Sequence, residues 1–62
     1  MQALIDYMKV TGLTQAELAK RIGVDPGHLN HWLKRRRDPS AQNLKLIAKG
    51  TGISLDKLLA DL

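Results

Sequence analysis

The sequence has no cysteine and no phenylalanine, and its only tyrosine and tryptophan are Tyr7 and Trp32. Without cysteine there is no disulfide bridge and no thiolate metal site, so the packing of apolar side chains must hold the fold. With so few aromatic residues, both are expected in the core. The sequence also lacks a signal peptide and the run of about 18 apolar residues that a membrane helix needs. We therefore expect a cytoplasmic protein without a membrane span.

The length bounds the architecture. A chain of 62 residues is expected to form a single domain over residues 1–62. A domain of this size buries only about 60% of the surface of its unfolded chain. We expect a modest free energy of unfolding, about 3–9 kcal/mol.

The charge of the chain is positive and unevenly placed. Ten lysines and arginines stand against six acids, which gives a formal net charge of +4. Eight of the ten basic residues lie within residues 20–49, where the only acids are Asp25 and Asp38. A basic middle segment is typical of a surface that meets a polyanion. The alternative is a solvated run of charge with no partner.

Residues 15–34 carry the strongest helical pattern. Apolar residues recur at helical spacing in both halves: Leu18, Ala19 and Ile22, then Leu29, Trp32 and Leu33. Gly23 is free to take the positive φ that ends a helix. Asp25 followed by Pro26 is typical of a helix start. The pattern predicts two short helices held at a fixed angle, a helix-turn-helix.

Three further helices are expected around this motif. They span residues 2–10, residues 41–49 after a Ser40 cap, and a last short stretch from a Ser54 cap toward Leu62. Thr14 and Glu17 have the spacing of a capping box, and residues 50–52 are expected to break the fourth helix. There is no strand pattern. The sequence predicts an all-α fold, a compact bundle of about five short helices with helices 2 and 3 as the helix-turn-helix.

Residues 13–59 resemble the Cro and lambda-repressor-like helix-turn-helix family. The resemblance rests on Gln15, Ala19, Gly23 and Val24, on Trp32-Leu33, on the basic residues before Pro39-Ser40, on Asn43-Leu44 with Ile47-Ala48, and on GISLDKLL near the end. It implies a five-helix bundle that binds double-stranded operator DNA, usually as a symmetric dimer. Such proteins repress or tune the transcription of phage or bacterial genes.

The exposed face of the third helix is the candidate for reading bases in the major groove. Five residues lie on or beside that face of a helical wheel: Gly27, His28, Asn30, His31 and Lys34. Many relatives carry a polar side chain such as glutamine where this chain has Pro26 and Gly27. Base readout is therefore expected to shift toward His28, Asn30 and His31, with a close backbone approach at Gly27.

A second set of residues is expected to contact phosphates: Gln15, Arg35, Arg36, Arg37 and Asn43. Gln15 lies at the open N-terminus of the second helix, where free N–H groups attract anions. Asn43 is similar to a phosphate-contacting residue of the family. Phosphate contacts supply affinity and register rather than sequence preference. Plain solvation of these side chains is the alternative.

The C-terminal leucines are candidates for self-association. Leu46, Leu55, Leu59 and Leu62 are more apolar residues than the ends of two short helices can easily bury. An apolar patch left there favours an isologous homodimer contact. We expect a weak homodimer that forms chiefly on DNA. Alternatively, the leucines complete the core of a monomer.

Other functions find little support in the sequence. His28 and His31 could share a Zn²⁺ ion, but further ligands are missing, so no metal is expected. The serines, Glu17 and Asp25 fit helix caps, and no pair of acids has a spacing that suits acid/base work. We therefore expect neither catalysis nor a cofactor nor a small-molecule ligand. The leading hypothesis is a free-standing Cro-like repressor. An antitoxin-like or controller protein that mainly holds another protein is the alternative, and an enzyme is a distant third.

Overall fold

Five α-helices make up the fold in the computed structural model, which describes residues 1–62 and contains no strand. The helices are α1 (Gln2–Thr11), α2 (Gln15–Ile22), α3 (Pro26–Leu33), α4 (Ala41–Thr51) and α5 (Leu55–Ala60). The expected all-α bundle with a helix-turn-helix formed by α2 and α3 is confirmed. None of the five helices is long and apolar enough to cross a membrane.

The helices α2 to α5 each begin at the cap that the sequence predicts. A cap side chain accepts a hydrogen bond from a first-turn N–H in every case, from Thr14, Asp25, Ser40 and Ser54. The capping box is complete, because Thr14 N donates to Glu17 Oε1 (3.0 Å) and Glu17 N donates to Thr14 Oγ1 (3.2 Å). These contacts lie within three residues of each other, which is why local sequence suffices to place helix starts.

Two helices end in the same way, at a threonine followed by a left-handed glycine. Thr11 Oγ1 donates to the carbonyl of Tyr7 (2.8 Å), and Thr51 Oγ1 donates to that of Ile47 (2.7 Å). Gly12 and Gly52 follow with φ of 76° and 77°. The sequences TGLT and TGIS therefore form matching corners, one between α1 and α2 and one between α4 and α5.

Several expected helix ends were wrong by a few residues. Helix α1 continues through Thr11, and α3 ends at Leu33 rather than Lys34. Helix α4 runs through Gly50 to Thr51, so the expected break at residues 50–52 occurs only at Gly52. Helix α5 stops at Ala60, two residues before the end of the expected stretch.

The core is one cluster of apolar side chains from all five helices and Met1. Its buried members are Met1, Leu4, Leu18, Ala19, Ile22, Leu29, Trp32, Leu44, Ile47 and Leu58. Trp32 is buried as expected, whereas Tyr7 is only half-buried against the cluster. The nitrogen of Met1 donates to the carbonyl of Trp32 (3.1 Å). The start of the chain is thus fastened to the end of α3.

Gly50 explains how closely α4 lies against the helix-turn-helix. A Cβ atom at this position would lie 3.1 Å from Ile22 Cα and 3.2 Å from the carbonyl oxygen of Arg21. Both atoms belong to the backbone of α2, which cannot move aside as a side chain can. The glycine is therefore a close-approach residue inside a helix, and it fixes the position of α2 on α4.

Candidate nucleic-acid interface

Helix α3 divides cleanly into an inner and an outer face. Leu29 and Trp32 point into the core, with 0% and 4% of their surface exposed. Gly27, His28 and Lys34 are exposed, and Asp25 Oδ1 accepts from Gly27 N (2.7 Å) to fix the start of the helix. The expected outward stripe is present only in part, because His31, which was expected at its centre, is half-buried. The exposed residues of α3 are free to contact a ligand such as the groove of DNA.

His28 is held in place by its neighbour one turn later. Its ring is stacked on that of Trp32, with centroids 6.4 Å apart and an interplanar angle of 27°. Because Trp32 is itself locked in the core, the imidazole has a fixed support although it is exposed. An imidazole nitrogen can donate or accept a hydrogen bond according to its tautomer. His28 is therefore a positioned polar group at the surface.

Asn30 lies differently from the sequence expectation. The residue is half-buried, and its Oδ1 is enclosed without a hydrogen-bond partner. The pairing of asparagine with adenine uses both the oxygen and the nitrogen of the amide. In this conformation the oxygen does not reach a base edge. A helical wheel gives the direction of a residue around one helix and not the exposure of its atoms, so it did not indicate this.

The turn after α3 closes the helix with a pair of backbone hydrogen bonds. Arg35 N donates to the carbonyl of Trp32 (3.2 Å), and Arg36 N donates to that of His31 (2.9 Å). This is the Schellman arrangement, which normally has glycine at the left-handed position. Here that position is Arg35, with φ of +57°, the only non-glycine residue of the chain with positive φ.

The residues expected to contact phosphates lie at three separate places. Arg35, Arg36 and Arg37 are all exposed in the turn after α3, and Gln15 is exposed at the first position of α2. Asn43 is half-buried in the first turn of α4, and its N–H donates to Ser40 Oγ (3.2 Å). That N–H is already used by the cap, so only its side-chain amide is open to another partner.

The acids do little to neutralise the basic residues. Four of the six carboxylates accept hydrogen bonds from uncharged amide groups: Asp6 from Gln2 Nε2, Glu17 from Thr14 N, Asp25 from Gly27 N and Asp61 from Ala3 N. The backbone N–H of Thr14, helped by its hydroxyl, holds the pKa of Glu17 below its ordinary value. These four acids thus cap helices or tie segments together. The molecule keeps a net positive charge of +4, which attracts an outside anion.

The four leucines expected at a dimer contact separate into two groups. Leu55, Leu59 and Leu62 are 37%, 50% and 46% exposed, at helical spacing along and just beyond α5. We call these three the leucine stripe. Leu46 instead is half-buried and packed against the core cluster. Most of its surface is therefore used within the fold.

No group of three or more histidines, cysteines, aspartates and glutamates lies close enough together to hold a metal ion. His28 is engaged with Trp32 through its ring, and His31 is half-buried. The chemistry that the site offers is hydrogen bonding and positive charge. It is the chemistry of a nucleic-acid interface.

Fold and site together define a DNA-binding helix-turn-helix protein. A family model described as helix-turn-helix matches residues 5–58, well over half of the chain. The chain therefore belongs to the Cro/C1-type helix-turn-helix family, as the sequence pattern predicted. Searches of curated proteins and of solved structures found no match. Membership in this family indicates a DNA-binding regulator.

Proposed function

We propose that this protein is a repressor of the Cro type, of phage, prophage or bacterial origin. It acts in the bacterial cytoplasm as a single domain over residues 1–62 and binds a palindromic operator through the major groove. The observation that carries this proposal is the outer face of α3, where His28 is exposed and His31 is half-buried, followed by exposed Lys34 and three exposed arginines. A helix presents base-reading side chains there, and the adjoining cations reach the flanking phosphates.

Base readout falls to His28, His31 and Lys34. Lysine suits the acceptors O6 and N7 of guanine, and histidine suits several base edges. Asn30 joins them only if DNA draws its amide out of the enclosed position. The start of α3 can explain why residue 27 is glycine, since a Cβ there would lie 2.9 Å from the capping oxygen, Asp25 Oδ1. A close approach of its backbone to DNA remains part of the proposal.

Phosphate contacts supply most of the affinity. If a dimer neutralises six to ten phosphates, the logarithm of the binding constant falls against the logarithm of salt concentration with a slope of about −5 to −9. We expect Arg36→Ala in both subunits to reduce the magnitude of that slope by about two. The control is Lys57→Ala, which removes an exposed lysine of α5. An unchanged slope in the Arg36 variant would remove this residue from the contact set.

The whole proposal is tested by selecting bound sequences from random duplexes. The affinity for the most enriched duplex is then measured as a function of salt concentration. We expect a palindrome to be enriched. His31→Ala should then relax the preference at one position per half-site at a cost of about 1–3 kcal/mol, whereas Arg36→Ala should weaken all sequences equally. Enrichment of no sequence at all would contradict a sequence-specific repressor.

The leucine stripe supports a homodimer. Leu55, Leu59 and Leu62 face solvent on α5, and a two-fold axis would place one stripe against its copy in an isologous contact. Leu46 contributes only its outer edge. The stripe is a small surface, so we propose a weak dimer that operator DNA completes.

The same stripe favours one second candidate, an antitoxin-like or controller protein whose main partner is another protein. Exposed leucines on a short helix can bind a different protein just as they can bind a second copy of this chain. Recovery of a stoichiometric protein in a pull-down at high salt would favour this function. Salt-sensitive protection of a palindrome would favour the repressor.

A further inference from the structure

An open groove runs between α1 and the end of α3, and it shares Lys34 with the outer face of α3. We call it the α1–α3 groove. Its floor is apolar and comes from the half-buried side chains of Ile5, Met8, Leu13 and Leu33. Its volume is about 490 Å³, compared with about 290 and 240 Å³ for the two other hollows of the molecule.

The charge around the α1–α3 groove has one sign. Lys9 and Lys34 lie at its edge, and no acid lines it. Both other hollows include Asp6 together with Lys57, so their charges oppose each other. An apolar floor beside two lysines complements a molecule with an apolar body and an acidic head. Lysine can lay its methylene stem over such a body while its ammonium group meets the head.

The size of the groove favours a small molecule over a protein. Small-molecule sites typically enclose about 300–1,000 Å³ and are lined mainly by apolar groups with a few polar ones. Seven residues line the α1–α3 groove, whereas a stable protein interface takes on the order of 20–30 residues a side. Met8 adds an adaptable side chain, which suits ligands of variable shape.

We propose that the α1–α3 groove binds a small amphipathic anion, a hydrocarbon chain or ring that ends in one carboxylate. This departs from the sequence expectation of no small-molecule ligand. The groove also includes Lys34, which the proposed function assigns to base readout. The proposal rests on that function in one respect: the anion and operator DNA exclude each other, because both require the Lys34 side chain.

The probe for the site itself is octanoate, followed through the methyl signals of the two methionines in the absence of DNA. We expect saturable shifts of the Met8 methyl, while the Met1 methyl stays in place because Met1 is 3% exposed in the core and does not line the groove. Octanol tests the head group and acetate tests the chain. Both should bind at least several-fold more weakly than octanoate.

Two further measurements test the proposed chemistry of the α1–α3 groove. Each methylene added from hexanoate to decanoate should tighten binding by about two- to fourfold. Lys9→Gln should weaken octanoate binding by about two- to fivefold, since it removes one exposed ion pair. Lys57→Gln makes the same charge change outside the groove and should leave the affinity as it is. Equal effects of the two variants, or equal binding of acetate and octanoate, would overturn the proposal.

The closing experiment is competition on the selected duplex. Octanoate should raise the apparent dissociation constant for DNA in the native protein, and less so in Lys9→Gln at matched octanoate concentration. If the protein binds no DNA sequence, the proposed function fails while the methyl titration still decides the groove. If DNA and octanoate both bind without competing, the inferred exclusion is wrong.

Discussion

Arg35 keeps a backbone conformation that a glycine would adopt at lower cost. Its φ of +57° places it in the left-handed region, which costs an L-residue roughly 1–2 kcal/mol. The Schellman hydrogen bonds of Trp32 and His31 need that conformation whatever the side chain is. A position where strain is retained is a candidate for function. The guanidinium group next to α3 provides that function if it contacts a phosphate.

Arg35→Gly should therefore separate stability from binding. We expect the free energy of unfolding to rise by up to about 1 kcal/mol, because glycine adopts the left-handed conformation freely. The magnitude of the salt slope for DNA binding should fall by about two per dimer. Urea unfolding and salt titration measure the two effects. Arg35→Ala is the control, since it removes the same charge without relieving the strain.

For Arg35, the idea fails if Arg35→Gly binds DNA with the slope of the native protein. A loss of stability in that variant would also count against it. In that case the arginine side chain would be serving the fold rather than the interface.

The sequence predicts which residues form this surface but not how each of them is placed. The outward placement of His28 and Lys34 follows from the spacing of residues along one helix, and the structure has it. The enclosure of Asn30 Oδ1 is not evident from the spacing of residues along α3. The left-handed Arg35 had no signal at all, because the usual mark of that position is glycine.

At the level of the helices, starts were predictable and ends were less so. A cap such as Asp25 or Ser40 accepts a hydrogen bond from an N–H two or three residues away. A helix start can therefore be predicted from a few neighbouring residues. Gly50 was wrongly expected to end α4. The reason for a glycine there is the close approach of the α2 backbone, which is distant in sequence. The neighbour of Gly50, Thr51, belongs to the helix, as Thr11 does in the matching corner.

Gly50→Ala tests the close approach of α4 to α2. In an isolated helix this change would stabilise by about 1 kcal/mol. Here the new Cβ would meet backbone atoms of Arg21 and Ile22 at 3.1–3.2 Å, and overpacking typically costs about 1–3 kcal/mol. We expect net destabilisation in thermal or urea unfolding. Lys49→Ala, at an exposed position of α4, is the control and should have little effect.

The capping box of α2 makes stability depend on pH. Hydrogen bonds from Thr14 lower the pKa of Glu17 in the folded state below its ordinary value of 4.5. The ionised carboxylate therefore contributes stability that is fully present above pH 4.5 and is lost as pH falls through the lowered pKa. Glu17→Gln should be less stable than the native protein at pH 7, and the difference should shrink in acid.

Urea unfolding at pH 7 and at pH 3 measures this change for Glu17→Gln. Thr14→Ala is the companion variant, because it removes the hydroxyl that helps to lower the pKa of Glu17 and should reduce the same pH dependence. A gap between Glu17→Gln and the native protein that stays constant from pH 7 to pH 3 would contradict the role of the carboxylate charge.

On the scale of the whole molecule, the fold keeps two surfaces apart by their chemistry. The turn after α3 carries exposed arginines, whereas α5 carries the leucine stripe. Helix α3 lies against α2 and α1, while α5 lies against α4. A dimer built on α5 would therefore leave the outer face of α3 free in each copy. This is compatible with the proposed palindromic operator.

Leu59→Asp tests whether the leucine stripe joins two copies. Leu59 is the most exposed member at 50%, so the fold should tolerate the change. We expect the variant to sediment as a monomer at concentrations where the native protein associates. Its affinity for a palindromic duplex should fall by about 10- to 100-fold through the loss of bivalent binding. Its affinity for a single half-site should fall only by the small electrostatic cost of the added carboxylate.

Val10→Asp supplies a matched control for that experiment. It also places an acid at an exposed apolar position, 86% exposed on α1, and it changes the net charge by the same amount. The general electrostatic cost for DNA binding is therefore shared, and only Leu59→Asp should distinguish the palindrome from the half-site. Equal losses on both duplexes would mean that each copy binds alone. The stripe would then be free for a different protein partner.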